Sequence, residues 1–543
     1  MRSTVQVQNT RRILCVFPHY TPSFGSFHHA YSLMPGVGAF MPPQGLLVIA
    51  AYLPEQWEVR FIDENMRRAT DEDFQWADAV FASGMHIQER QVHEIHERAK
   101  LYGKVTCIGG SSVSGAPEKY PEFDYLHIGE LGDATDELIR ILDRDLTPPP
   151  AQVRLETAER VALSDFPLPA YDQLPLKKYL LGSLQFSSGC PYRCEFCDIP
   201  ALYGRQARLK TPEQLLRELD AFISQPDHPT VIYFVDDNFI ANKKATKEML
   251  PHLIAWQKQH GYPLQFACEA TLNMAKQPDI LAMMREAGFF TVFVGIETPE
   301  LDALKSIAKE HNNMVPMFEA LETLNSYGLE VTSGIILGLD TDTDQSEDRL
   351  IEFIDRSAVP VLTINILQAL PKTPLWDRLQ KADRLINDPK LESNVKFLRP
   401  HDSVVASWRR AIAHAYAPEN IFARFRRQMD VTYGNRIKTP AKGKLTRANL
   451  RRGLFMGWNI IWQIGVKSDY RGVFWRSAWH AAKKGQIEAI YNMAFVCHHL
   501  IIFTREALAG RHNASFYAAQ EKKARGVVEG SAVRVRDRVE EAA

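Results

Sequence analysis

Seven cysteines in 543 residues are too few for a disulfide-built scaffold. Neither sign of charge dominates: 64 Lys plus Arg stand against 65 Asp plus Glu, a formal net charge of -1. A dedicated nucleic-acid binder needs a basic excess, so that class is excluded for the chain as a whole. No apolar run reaches the about 20 residues of a membrane-spanning helix; the uncharged stretches 454–466 and 490–504 fall short. Residues 1–12 are polar and lack the apolar centre of an export signal. That predicts a reducing, cytoplasmic compartment in which cysteines are buried, metal-bound or catalytic. Short-period repeats are missing too. The remaining composition, 45% hydrophobic and 24% charged, is that of an ordinary soluble protein of three or four domains at about 150 residues each.

Short apolar runs at 12–17, 57–63, 79–83, 105–108 and 125–128 alternate with helical patterns such as 45–53. Strands alternating with helices predict an α/β fold with a parallel, doubly wound (Rossmann-like) sheet. Three of the strands run into Gly84, into Gly109 and Gly110, and into Gly129 and Glu130. Ligands of such sheets bind beyond the carboxyl ends of the strands, so these positions and the nearby His86 are binding candidates. Tight turns and a satisfied loop histidine are the alternative reading. Pro148, Pro149 and Pro150 form a stiff linker. A second strand–helix series follows, with strands predicted at 184–187, 231–235, 264–268, 291–295, 331–337 and 361–366. Six such units imply a partial (β/α)6 barrel, whose chemistry sits at the carboxyl ends of its strands. Beyond about residue 400 the pattern is helical, and from residue 521 it reads as a solvated helix or tail.

Three of the seven cysteines, Cys190, Cys194 and Cys197, fall within eight residues, directly after the first barrel strand. Thiolates hold iron–sulfur clusters, and three of them leave one iron of a cubane open to a further ligand. Zinc prefers four ligands, and no fourth cysteine or histidine has the usual spacing. A redox dithiol would use Cys194 and Cys197 and leave Cys190 idle.

The triad, with Phe196 before its last cysteine, is similar to the signature of radical S-adenosylmethionine (SAM) enzymes. The likeness continues through Asp236-Asp237-Asn238-Phe239 after the second barrel strand, Glu297 after the fourth, Gly338 after the fifth and Pro371-Lys-Thr-Pro374 after the sixth. With the preceding doubly wound domain, residues 11–400 resemble the cobalamin-dependent radical SAM enzymes. His28, Ala30, Tyr31 and the stretches 40–47, 184–190 and 265–272 are similar to the hopanoid C-2 methyltransferases, a likeness that spans nearly the whole chain.

The resemblance implies a cobalamin-binding Rossmann-like domain (1–147), a linker (148–183), a radical SAM partial barrel (184–400) and a helical C-terminal region (401–543). It implies a 4Fe-4S cluster on Cys190, Cys194 and Cys197, with SAM and cobalamin (methylcobalamin) as the other cofactors. The activity implied is methyl transfer from SAM, via methylcobalamin, to an unactivated sp3 carbon of a hopanoid lipid at C-2. A reductase, ferredoxin or flavodoxin would donate the electron, and no nucleic-acid partner is expected. Asp236, Asp237, Glu269, Glu297, Gly338 and Phe196 are placed near SAM; helix capping by the aspartates and loop packing by Phe196 are the plain alternatives. The glycine-rich strand exits Gly84, Gly109, Gly110 and Gly129, with His86 and Glu130, are placed near cobalamin. The D-x-H-x-x-G pattern that ligates cobalt in many corrinoid proteins is missing, and His127 reads as a strand residue. Cys15, Cys107 and Cys268 read as small apolar core residues.

Residues 431–468 contain no acidic side chain and lead into Trp458 and Trp462, followed by Trp475 and Trp479. Each tryptophan pair is four residues apart and shares a helical face. Peripheral contact with the inner face of the cytoplasmic membrane through residues 431–505 is one reading; helices packed on the barrel with a solvated basic face is the other. The architecture also serves other lipids, tetrapyrroles and secondary metabolites. A tRNA methylthiotransferase would need a second cysteine triad, yet only Cys15 and Cys107 precede Cys190. A corrinoid carrier without catalysis would have no use for the triad.

Overall fold

Ile13, Leu14, Cys15 and Val16 expose no surface, as a continuous apolar run does when a strand is covered on both faces. This strand, β1 (Arg12–Phe17), lies within a parallel sheet ordered β2-β1-β3-β4-β5-β6 in the computed structural model, which describes residues 2–388, 391–438, 447–512 and 514, without the side chains of 313, 448 and 449. Its neighbours are β2 (Glu58–Asp63), β3 (Ala79–Ser83), β4 (Val105–Gly109) and β5 (Tyr125–Ile128), the five strands the sequence pattern predicts. A sixth, β6 (Val153–Glu156), comes from the stretch expected to be linker and pairs in parallel with β5. Its alternating polar sequence, Val-Arg-Leu-Glu, suits an edge strand and gives no continuous apolar signal. The order reverses between β1 and β3, and that switch point is where sheets of this kind open a crevice.

The second sheet is ordered β14-β13-β12-β11-β10-β7 and is parallel throughout. Its strands are β7 (Gly182–Leu184), β10 (Val231–Phe234), β11 (Gln265–Ala270), β12 (Phe289–Glu297), β13 (Glu330–Leu337) and β14 (Val361–Ile366). Sequential strands are neighbours throughout, the topology of a partial (β/α)6 barrel. The first barrel strand ends at Leu184, earlier than expected. Ser187 and Ser188 instead form β8, which pairs antiparallel with β9 (Arg208–Leu209). Buried and half-exposed residues alternate along β12, β13 and β14, so one face packs against the helices and the other lines the barrel interior.

Both edges of the open barrel are covered. At β7, Leu181 N donates to Phe40 O (2.9 Å), and Ser183 Oγ donates to Pro42 O (2.9 Å). At β14, Trp408 Nε1 donates to Ile364 O (2.8 Å), and Leu362 N donates to Tyr416 Oη (3.0 Å). At β14, side chains thus occupy ladder groups that would otherwise invite another strand. Trp408 lies in, and Tyr416 caps, the first of the C-terminal helices His401–Ala415, Pro418–Val431, Arg471–Lys483 and Ile487–Leu508. The last has 22 residues and is, among the described residues, the one helix long and apolar enough to cross a membrane; the sequence had suggested a shorter run. Met493, Ala494, Cys497, His499 and Leu500 on it expose nothing, so it is a core helix of this fold. Residues from 515 onward, including the expected tail, lie outside the described residues.

Candidate active site

The β8–β9 hairpin frames the loop that carries Cys190, Cys194 and Cys197. Gly189 opens it at φ +97°, and a β-carbon there would sit 3.0 Å from the carbonyl oxygens of Gln206 and Gly204. Only glycine allows the loop to fold back over itself at that point. Cys190 N donates to Gly204 O (3.2 Å), and Cys197 N donates to Cys194 O (3.1 Å). All three thiols are free and half-buried. Burial pushes each of them above the ordinary thiol range, Cys197 furthest. A metal that replaces the proton removes that penalty, so three desolvated thiols on one short loop fit an iron–sulfur cluster.

Four carboxylates sit at the strand ends around this loop. Asp236, expected near SAM, has both oxygens committed to the chain: Phe186 N reaches Oδ2 (3.0 Å), while Ser187 N and Oγ reach Oδ1 (both 2.5 Å). It braces the approach to the cysteine loop and is itself 1% exposed. Asp237 accepts from Gly189 N (2.7 Å) and is half-exposed. Glu269 is half-exposed on the barrel side of β11 and receives Tyr233 Oη (3.2 Å). Chiefly through burial, Asp236 and Glu269 are raised to about 7 and Asp237 to about 6; neighbouring carboxylates add to this, Asp237 for Asp236, Asp237 and Asp236 for Glu269, and Glu130 and Asp198 for Asp237. A cationic ligand beside Asp237 and Glu269 would relieve that penalty and favour their charged forms.

Glu297, also expected near SAM, already has a partner in the chain. It makes a buried ion pair with Lys309, and Gly295 leaves the room for it: a β-carbon there would collide with both groups. Lys309 is desolvated, but Glu297 and Cys194 outweigh that and hold it above the ordinary lysine range. Its Nζ lies 5.6 Å from the Phe196 ring centre, and Phe196 packs beside Leu339, Leu367 and Leu375. At Gly338, expected near SAM, φ is +90° and a β-carbon would meet the Phe397 ring.

The carboxyl edge of the first sheet faces the cysteine loop. His86 Nδ1 pairs with Ser112 Oγ (3.3 Å), and its buried Nε2 has no hydrogen-bond partner, with Asp198 Oδ2 at 3.7 Å. Lys372, in the Pro-Lys-Thr-Pro segment, donates to Ser114 O (2.6 Å). Glu130, expected at a cofactor, joins the first sheet to the β8–β9 hairpin: Arg208 Nη2 lies at 2.6 Å and Arg160 Nη1 at 2.9 Å. The nearby glycines also answer to the chain itself. Side chains at Gly84, Gly109, Gly110 and Gly129 would meet Val92, His127, Ser83 and Thr157 respectively. His127 is a buried strand residue whose Nε2 meets Thr135 Oγ1 (2.8 Å). Cys15, Cys107 and Cys268 are buried in strands.

Several residues of this region escaped the sequence reading. Tyr192 stacks on His311 (3.7 Å between ring centres) and receives Asn273 Nδ2 (2.5 Å). His311 Nε2 is buried without a partner. Burial and Lys309 together lower His311 to about 4, so its ring is neutral. Tyr192 lies inside the cysteine motif and was within reach; Lys309 and His311 carry no local signal, because only the chain's return over the barrel mouth brings them here.

Residues 184–354 match the family model for the Radical SAM superfamily, and residues 373–513 match a domain of unknown function (DUF4070). The fold is similar to solved cobalamin-dependent radical SAM enzymes: OxsB with aqua-cobalamin bound (TM-score 0.58, 14% identity, 92% of this chain and 81% of that one) and TsrM from Kitasatospora setae with cobalamin and a [4Fe-4S] cluster bound (TM-score 0.55, 15% identity, 89% and 99%). At such identity they show the fold alone. The hopanoid C-2 methylase of Rhodopseudomonas palustris (strain TIE-1) is 56% identical over 517 residues, covering 95% of this chain and 98% of the relative. With its radical SAM domain, its doubly wound N-terminal sheet and that near full-length identity, the chain belongs to the hopanoid C-2 methylase family.

Proposed function

We propose that this protein is a cobalamin-dependent radical SAM methyltransferase that moves a methyl group from SAM to C-2 of a hopanoid. The observation that carries the reading is the placement of the cysteine loop: it faces the carboxyl edge of the doubly wound sheet in a chain similar over nearly its full length to a hopanoid C-2 methylase. Cys190, Cys194 and Cys197 would hold the 4Fe-4S cluster, and the strand exits near His86 and Gly110 would face cobalamin. When bound, the cluster and cobalamin supply the one-electron cleavage of SAM and the carriage of its methyl group. A reductase, ferredoxin or flavodoxin is the proposed electron source.

The chain's own residues position and shield. Asp236 and Asp237 hold the backbone from Phe186 to Gly189, so Cys190 enters the site at a set place. Asp237 and Glu269 offer negative charge to the ammonium of SAM. Phe234, Phe239, Phe266 and Phe289 pack against one another beneath the barrel mouth and keep water from that side of the barrel.

We also propose that a hopanoid reaches the enzyme from a membrane surface. Helix Arg447–Ile460 and the π-helical segment Ile461–Lys467 that continues it expose Leu454 (68%), Trp458 (62%), Ile461 (43%) and Trp462 (46%) along one side, and Lys467 lies 5.1 Å from the Trp462 ring centre. Trp479 is exposed as well (65%). The basic run is only partly available to this face. Arg436 is pinned between Tyr433, Glu488 and Phe290 O, and Trp475 donates to Gly465 O (2.9 Å). Lys442 and Lys444 lie outside the described residues.

The test of the main reading is expression in a hopanoid-producing host that lacks methylation, followed by lipid mass spectrometry. A 2-methylhopanoid is expected, and its loss with Cys194→Ala. Accumulation of unmethylated hopanoid alone, with the protein folded and its cluster loaded, overturns the substrate assignment.

A further inference from the structure

His28, His29 and His499 bring ring nitrogens together: one ligand atom from each lies within 4.8 Å of the others. The first two follow β1 on a short turn of helix (His28–Leu33), and the third sits in the last helix, 470 residues later. No hydrogen bond joins the three rings to one another among the described residues, although the His28 and His29 ring centres are 3.8 Å apart. Each ring has one nitrogen engaged by the chain. His29 Nε2 meets the Glu506 carboxylate (3.0 Å), His499 Nε2 donates to Ser23 O (3.0 Å), and His28 Nδ1 pairs with Ser26 Oγ (3.0 Å). Imidazoles that ligate a metal almost always show this arrangement, with the far nitrogen on a carboxylate, carbonyl or similar group that sets the tautomer.

His499 makes the point sharply. It is fully buried, and donation from Nε2 leaves its Nδ1 unprotonated, inside the protein and without a partner. A buried acceptor left bare costs about 1–3 kcal/mol, which a bound cation would offset. The seam is reachable, because His29 and Glu506 remain about one-fifth exposed. Tetrahedral zinc at about 2.0–2.1 Å from each nitrogen needs neighbouring nitrogens roughly 3.3 Å apart, a contraction that side-chain rotation can supply.

From this geometry we propose a second metal site, distinct from the cysteine loop, in which His28, His29 and His499 bind one divalent transition-metal ion of the zinc class, with water in the fourth position. Three imidazoles suit zinc better than calcium or magnesium. The ion ties the N-terminal sheet to the C-terminal helices, a staple between the two ends of the chain. The inference stands on the histidines alone and does not depend on the proposed methyl transfer.

The test is metal analysis of the full-length, cluster-reconstituted protein after dialysis against zinc and then against zinc-free buffer. One zinc per chain is expected beyond the iron and cobalt. It should persist when Cys190, Cys194 and Cys197 are all replaced by alanine, which removes adventitious thiol binding, and vanish in His28→Gln/His29→Gln with iron content unchanged. These two residues are half-exposed, so the variant avoids the folding risk of changing buried His499. A chelator should lower the melting temperature of the parent and leave that of the double variant unmoved. Zinc lost with the cysteines but retained by the double variant, or no excess zinc in the parent, overturns the proposal.

Discussion

Replacing Trp458 and Trp462 with serine probes the lipid-facing side of the C-terminal helices without touching the core. The two side chains are 62% and 46% exposed, and a tryptophan offers up to about 250 Å², so together they present about 270 Å² to solvent. If half of that area enters the headgroup region of a bilayer, about 3 kcal/mol of transfer free energy is lost at about 25 cal/mol per Å². That corresponds to roughly 200-fold weaker partitioning. The assay is co-sedimentation with anionic phospholipid vesicles at low salt, with the melting temperature recorded for both proteins. Lys467 stays in the variant, so residual binding should be weak and should disappear as salt rises. Equal partitioning of variant and parent, at unchanged melting temperature, refutes this face as the docking side; no binding by the parent refutes docking altogether.

Glu269→Gln should expose a conflict between stability and function. In the folded state Glu269 is raised to about 7 by burial and by Asp237 and Asp236, so its contribution to stability is present below its ordinary range and lost as pH rises through about 7. Discounted for its partial exposure, that is about 2 kcal/mol, or roughly 2 °C in a chain of this size. The variant should therefore melt higher than the parent at pH 8 and level with it near pH 4.5, while binding SAM more weakly; parallel melting curves across pH would contradict the burial argument. Asp236→Asn leaves one oxygen for three donors, and should cost about 2–3 kcal/mol and lower the iron bound per chain after anaerobic reconstitution; full iron loading would show that the brace is dispensable. Glu130→Gln breaks the link to Arg208 and Arg160, partly exposed ion pairs worth about 1–2 kcal/mol together. Limited proteolysis near residues 157–165 should then run faster, and an unchanged cleavage rate would argue against the link.

Sequence periodicity was enough for the two parallel sheets, because strands buried on both faces must be apolar runs and their spacing leaves room only for crossover helices. β6 was hidden in the supposed linker, since an edge strand can afford Arg154 and Glu156 on its open side. The cysteine loop was legible for a chemical reason: three thiols so close in the chain have few other uses. Acidic residues at strand ends were legible as a group but not by role. Asp237 and Glu269 stay half-exposed, whereas Asp236, one residue away from Asp237, turns inward to the backbone of Phe186 and Ser187. Glu297 looked equally free until Lys309 arrived beside it from twelve residues on.

Sequence by itself therefore determined the strands, the helices and the thiol triad, all of which depend on residues near one another along the chain. Tertiary structure alone decided which charges are paired, which strand-end groups stay open and which histidines meet. Those outcomes depend on contacts such as Glu130 with Arg208 and His28 with His499, which join residues 78 and 471 positions apart. No local pattern encodes such a meeting, because it exists only once both sheets and the last helix are packed.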